Sequence, residues 1–219
     1  MMDAWMPGMP MVRWGRSLAA LAVRGWLRVY DRLTIVGREH LPRDRSFILV
    51  ANHASHLDTL CLLSALPIGR LPRTFPVAAA DYFCVSPVRA WLARMFVNVL
   101  PFDRHASWQS LNVCARMLQE EPGTVLIFFP EGTRAGGAEP GEFKPGVGLL
   151  TAGRDIPVVP CHLAGTRDAL PKGAWWPRPR AVRLTIGEPR VYAHLSANKA
   201  SRLLICQELR EAVIALGQA

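Results

Sequence analysis

Phe47-Ile48-Leu49-Val50-Ala51-Asn52-His53-Ala54-Ser55-His56-Leu57-Asp58 is the stretch that decides the fold. Its first five residues are a compact apolar run, which reads as a buried strand. Polar residues interrupt the run after Ala51. Leu57 to Ala65 then reads as a helix that stops before Pro67. A buried strand leading directly into a helix is the building unit of a parallel sheet covered by helices.

The unit recurs downstream. Thr124-Val125-Leu126-Ile127-Phe128-Phe129 is the clearest strand in the chain, and it opens into Pro130-Glu131-Gly132-Thr133-Arg134. Between and around these two stretches, helical patterns are expected at 11–30, Pro87 to Met95, Ala106 to Gln119, Gly146 to Gly153 and 197–215. In the third of these, Leu111, Cys114, Ala115 and Leu118 fall on one side. Strands are expected at Leu33 to Gly37, Phe75 to Ala80 (weakened by Pro76), Phe96 to Pro101, Ile156 to Pro160 and Val182 to Ile186, the last exposed on one face. His40 to Asp44 is a turn. No repeat or low-complexity tract is present. The expected class is α/β: a single layered domain over 31–219 with a mostly parallel central sheet flanked by helices. An amphipathic segment over 1–30 precedes it. In such sheets, sites gather where loops leave the C-terminal ends of strands. His53 and Glu131 both lie at such places.

The chain has 219 residues, enough for one substantial core. Hydrophobic residues make up 50%, and the mean hydropathy is +0.14. A spanning helix needs about 20 consecutive apolar residues. Arg13, Arg16, Arg24 and Arg28 interrupt the N-terminal segment, and it lacks the cleavage pattern of a secretory signal. The net charge is +9, with 26 basic against 17 acidic residues, so an anionic partner is expected. Zinc-finger, homeodomain and basic-zipper patterns are missing, so that partner is not expected to be nucleic acid. Trp5, Trp14, Trp26, Leu18, Leu21, Leu27 and Tyr30 interleave with the N-terminal arginines. That mixture describes a helix lying in a membrane interface, against the plainer reading of a helix docked on its own core. Trp175-Trp176 with Pro177 and Arg178 has the same two readings, a second membrane contact or a packed loop. Five scattered cysteines (61, 84, 114, 161 and 206) without C-x-x-C spacing fit buried reduced thiols.

Chemistry concentrates at His53 and Asp58. Their spacing does not align side chains on a regular helix. They meet only if His53 is on the turn and Asp58 in the first helical turn. Asp58 would then fix the imidazole tautomer, leaving the other nitrogen to take a proton from a hydroxyl. The alternative is a helix cap by Asn52 or Ser55 beside a satisfied histidine. A metal site of His53, His56 and Asp58 is a rival, but His40, His105, His162 and His194 stand alone, so no metal is expected. Ser55 as nucleophile lacks the Gly-x-Ser-x-Gly elbow. In the second motif Gly132 permits positive φ and close backbone approach, and Arg134 offers a bidentate grip on phosphate. The alternative there is a strand-to-loop turn with a solvated arginine. Lys144 in Phe143-Lys144-Pro145-Gly146 and Arg104 in Pro101-Phe102-Asp103-Arg104 add cations.

With these motifs in place, the chain resembles the glycerolipid acyltransferases over roughly residues 30–190. Four blocks carry the resemblance: His53 to Asp58 within Asn-His-x-Ser-x-x-Asp; Pro101 to Arg104; Phe129 to Arg134, with Phe143 to Gly146 following; and Ile156-Pro157-Val158-Val159-Pro160. The resemblance implies that His53 deprotonates the hydroxyl of a lysophospholipid while Asp58 orients it. The alkoxide then attacks the thioester of acyl-CoA or acyl-acyl carrier protein, with no acyl-enzyme and no metal or organic cofactor. It further implies that Arg104 and Arg134 bind the acceptor's phosphate, with Glu131, Gly132, Thr133 and Lys144 completing that site. The acceptor implied first is 1-acyl-sn-glycerol-3-phosphate, and the place is the cytoplasmic face of a membrane, peripheral or monotopic. The other readings are a different acceptor such as a lyso-aminolipid, a non-catalytic membrane-surface anion-binding protein, and a metal-dependent hydrolase.

Overall fold

Strand β2 (Phe47–Ala51) is buried at all of its positions, as five apolar residues in a row require. Its alternate side chains face opposite layers. Phe47, Leu49 and Ala51 join one core cluster, and Ile48 and Val50 join the other. The computed structural model describes residues 10–79, 98–102, 107–134 and 139–218, with side chains of the first helix from Ser17 onward. Around β2 these residues build a seven-stranded sheet.

In chain order the elements are α1 (Pro10–Val29), β1 (Thr34–Val36), β2, α2 (Leu57–Ala65), β3 (Thr74–Ala79) and β4 (Leu100–Phe102). Then follow α3 (Ser107–Glu120), β5 (Val125–Phe128), α4 (Gly146–Thr151), β6 (Val158–Ala164), α5 (Thr166–Ala169), β7 (Arg183–Ile186) and α6 (Lys199–Gln218). Strand order is β1-β7-β6-β2-β5-β3-β4. β2 pairs parallel with β5, Val50 opposite Phe128, and parallel with β6, Ala51 opposite Cys161. β6 and β7 are antiparallel, and β1 runs parallel to β7. The sheet is therefore mixed and mostly parallel, with helices on both faces.

On one face α1 and α2 pack through Leu27, Cys61, Leu62 and Ala65. On the other lie α3, α4 and α6, through Leu111, Leu118, Leu150, Ile205 and Leu209. α1 shows both characters anticipated for it. Val23, Trp26 and Leu27 pack on the core, while Leu18, Leu21 and Val29 are exposed. No described helix is long and apolar enough to cross a membrane.

Two expectations need correction. The strand anticipated at Ile156 to Pro160 is displaced downstream to Val158–Ala164 and runs through Pro160. The missing N–H of Pro160 costs no bond to β2. The Val158 N–H and the Pro160 carbonyl both point away from β2, to Arg190 and Gly187, so the Pro160 nitrogen faces that side too. There β7 pairing begins only at Cys161. Second, β7 is not exposed on one face. Leu184, Thr185 and Ile186 are all buried, because the sheet is covered on both sides. In α6 the apolar Leu203 and Leu204 face outward, and the buried stripe is Ile205, Cys206, Leu209, Ala212 and Val213. Pro76 is accommodated within β3 where the strand passes from its β5 partner to its β4 partner. The helix anticipated at Pro87 to Met95 lies outside the described residues.

Candidate active site

The end of β2 is pinned before the polar turn begins. The Asn52 amide donates to the Leu163 carbonyl at 2.9 Å and accepts from the Leu163 N–H at 2.8 Å. This reciprocal pair ties the turn to β6, so His53 leaves the sheet in a fixed direction. The backbone then folds over the start of α2, and a single oxygen of Asp58 organises it. Asp58 Oδ2 accepts from His53 Nδ1 at 2.9 Å, from the Ala54 N–H at 2.7 Å and from the Ser55 N–H at 2.8 Å. A carboxylate in the first turn of a helix is also favoured by the helix dipole. Asp58 is fully buried, and its Oδ1 is buried without a protein partner.

Because an ionised carboxylate only accepts, the His53 proton sits on Nδ1 and Nε2 is left as a base. The His53 side chain keeps 19% exposure, and its ring stacks on Phe129 with centroids 4.2 Å apart. The arrangement is that of an imidazole oriented by a carboxylate, with its ring partly open to solvent, and it can serve as a general base.

The second motif reaches the first through Glu131, which is 7% exposed. Its Oε1 accepts from the His53 N–H at 2.8 Å, and its Oε2 accepts from the Gly141 N–H at 2.9 Å. Both oxygens therefore hold backbone. Gly132 has φ of 72°, and a Cβ there would stand 2.7 Å from Lys144 Nζ. The absent side chain is the space the lysine occupies. The Lys144 N–H donates to the Pro130 carbonyl, which fixes the two segments side by side. Arg134 is half-buried and Thr133 exposed on the same turn.

His56 is driven down to about 4, first by desolvation and then by the charges of Arg134 and His53, against the opposing pull of Asp58. Arg134 and the two histidines therefore share one electrostatic neighbourhood. The Ser55 hydroxyl donates to the Leu170 carbonyl at 2.8 Å and is fully buried. That removes it as a nucleophile. Among the described residues no group of three or more His, Cys, Asp or Glu is placed to hold a metal.

The sheet thus brings His53, Asp58 and Glu131 into direct contact and sets Gly132, Lys144 and Arg134 beside them. Arg104 lies outside the described residues. Sequence reading missed the part played by Asn52 as a bridge to β6, the platform under His53 formed by Phe129, and Gly141 as the second partner of Glu131. Only Phe129 carried a signal, as the residue that ends the apolar run.

A sequence model of the family described as Acyltransferase matches residues 32–164. The chain is 32% identical over 189 residues to the 1-acyl-sn-glycerol-3-phosphate acyltransferase of Chlamydomonas reinhardtii, covering 84% of this chain and 52% of that one. It is 31% identical over 186 residues to a chloroplastic 1-acyl-sn-glycerol-3-phosphate acyltransferase of Brassica napus, covering 84% and 50%. The chain spans about half the length of these curated relatives. Among solved structures, that of the 1-acyl-sn-glycerophosphate acyltransferase PlsC from Thermotoga maritima superimposes with a TM-score of 0.72 at 26% identity, covering 94% of this chain and 80% of that one. Fold, motif geometry and relatives agree: the chain belongs to the acyltransferase family.

Proposed function

We propose that this chain moves a fatty acyl group from a thioester, acyl-CoA or acyl-acyl carrier protein, to the free hydroxyl of a lysophospholipid. The acceptor we put first is 1-acyl-sn-glycerol-3-phosphate, which the names of the relatives carry. The observation behind the reading is the contact of partly exposed His53 with buried Asp58, next to the turn bearing Arg134 and the Lys144 segment fastened beside it.

In this mechanism His53 Nε2 takes the proton of the acceptor hydroxyl as the oxygen attacks the thioester carbonyl. Asp58 stabilises the imidazolium that forms. The tetrahedral intermediate collapses with cleavage of the C–S bond, and the imidazolium returns its proton to the departing thiolate. Ester and free thiol result, with no acyl-enzyme. Arg134 and Lys144, with Arg104, hold the acceptor's phosphate. Glu131, Gly132 and Thr133 shape the turn that presents them.

The test is thiol release from a long-chain acyl-CoA or acyl-acyl carrier protein by purified protein, with and without 1-acyl-sn-glycerol-3-phosphate. Acceptor-dependent release is expected, reduced by about 10²- to 10⁴-fold in His53→Ala. Near-normal turnover by a folded His53→Ala protein would sink the reading, and acceptor-independent release would make the chain a thioesterase. A lyso-aminolipid acceptor would show instead as turnover on that lipid that is insensitive to Arg134→Ala.

A further inference from the structure

The loop from Pro171 to Arg180 follows β6 and the short α5 at the same end of the sheet as the turn carrying His53, because β6 runs parallel to β2. It returns into antiparallel β7 at that end. Two hydrogen bonds fasten it there. The Ser55 hydroxyl holds the Leu170 carbonyl at 2.8 Å, and the Tyr30 hydroxyl at the end of α1 donates to the Pro177 carbonyl at 3.2 Å. The Arg178 N–H closes the loop on the Ala169 carbonyl at 2.7 Å.

This anchored loop holds Trp175 and Trp176 out from the protein. They are 89% and 63% exposed, with ring centroids 6.1 Å apart. Val29, next to Tyr30, is 80% exposed. Each tryptophan presents about 150–250 Å² of mostly apolar surface, and two adjacent ones on a proline-stiffened loop mark a surface that expects a partner. The surrounding charge selects which partner. Residues 167–183 contain Arg167, Lys172, Arg178, Arg180 and Arg183 against the single acid Asp168. Lys172, Arg178 and Arg180 are exposed, with no ion pair to a described carboxylate. Tryptophan at a water–hydrocarbon boundary beside cations facing phosphate is the chemistry of an anionic bilayer surface.

We infer that the Pro171–Arg180 loop is a membrane-docking element, in which Trp175 and Trp176 enter the headgroup region of an anionic bilayer and so seat the catalytic edge of the sheet on the surface. The anchorage through Ser55 places the loop in register with the turn that carries His53. The inference rests on the proposed lipid acyl transfer only for its purpose, and the binding itself is measured without turnover.

The experiment is flotation of the full chain with vesicles of phosphatidylcholine alone, or with roughly a quarter phosphatidylglycerol, near 0.1 M salt. Trp175→Ala/Trp176→Ala is expected to lose about tenfold or more in partitioning to both vesicle types. Lys172→Gln/Arg178→Gln/Arg180→Gln is expected to lose only the preference for the anionic ones. A melting temperature within a few degrees of the parent certifies each variant as folded. Trp175→Ala alone serves should the double variant unfold. Thiol release with a short-chain acceptor kept below its micelle threshold is expected to be unchanged in the tryptophan variant, while release with a vesicle-borne acceptor falls in step with binding. Undiminished vesicle binding by the folded tryptophan variant, or no vesicle binding by the parent, overturns the proposal. So does a loss confined to acyl carrier protein. Absence of turnover with intact, tryptophan-dependent vesicle binding overturns the proposed function and leaves the docking loop standing.

Discussion

Asp58 Oδ2 accepts from one imidazole and two backbone amides, so one atom sets both the shape of the turn and the tautomer of the base. Asp58→Asn can still accept through its oxygen but presents an NH₂ to one of the three donors. With the amide nitrogen toward Nδ1, the ring is driven to the wrong tautomer. Turnover is expected to fall about 10³- to 10⁴-fold, as for the analogous change in a serine-protease triad, measured as thiol release. Glu131 and Arg134 separate by kinetics. Glu131 spends both oxygens on the His53 and Gly141 amides, so Glu131→Gln leaves one buried amide facing an NH₂, a loss of about 1–3 kcal/mol at the turn. It should lower kcat about tenfold or more with acceptor KM little changed. Arg134→Ala should instead raise acceptor KM, by about tenfold or more for loss of a charge-assisted phosphate contact. Equal KM effects from both would place the Glu131 carboxylate on the substrate. At this scale the contact of His53 with Asp58 could be read because its geometry is local to one motif. The role of Glu131 could not, because it depends on which backbone amides the fold brings to it from positions 78 and 10 residues away.

Between elements, a close backbone approach joins α4 to α6. A Cβ on Gly148 would stand 2.6 Å from the Arg202 carbonyl oxygen and 2.9 Å from its Cα. Backbone cannot give way as a side-chain tip can. Gly148→Ala is therefore expected to cost about 1–3 kcal/mol by overpacking, seen as a lower denaturant midpoint with unchanged slope. At the junction of α1 with β7, Asp31 is buried with neither carboxylate oxygen in hydrogen-bond geometry. Desolvation raises its carboxyl above the ordinary 3.8, opposed by the nearby Arg180 amide. The unfolded chain loses this proton first, so stability falls as pH rises from the ordinary value through the raised one. Asp31→Asn removes that slope, and thermal melts should show the variant gaining on its parent as pH rises above the ordinary 3.8. An unchanged difference across that rise would put Asp31 in water. Element positions were largely legible, since β2 and α2 have the bounds their patterns indicate. Those of β6 were not. A proline reads as a stop, and whether its nitrogen faces a partner depends on a neighbouring strand from elsewhere in the chain.

For the whole molecule, the two core clusters divide by face, and every described cysteine lies within them or against them. Cys61, Cys114, Cys161 and Cys206 are buried. Burial pushes all four thiols up, that of Cys114 to about 12, so none is nucleophilic at neutral pH. In a Cys84→Ser background, a thiol reagent should find no reactive group in the folded protein and four on unfolding, with labelling tracking global opening. Labelling of one thiol ahead of the rest would reveal a cluster that opens alone. The expectation of small buried hydrophobes holds for these four residues, because scattered cysteines in apolar runs follow the core. Which strand lies beside which was not legible. Order in a sheet is set by pairing between distant segments, and no local pattern announces that β7 inserts between β1 and β6.

The pairing of β1 with β7 bears on biosynthesis. Thr34 meets Arg183, its register partner across the ladder, only after roughly 150 more residues have left the ribosome, about ten to thirty seconds at usual elongation speeds. For that interval the first strand lacks its ladder, and the helix ahead of it lacks the Tyr30–Pro177 tether. The nascent chain thus offers tryptophan and arginine to its surroundings before the scaffold that will hold them exists. Its first encounter with a lipid surface can precede completion of the fold.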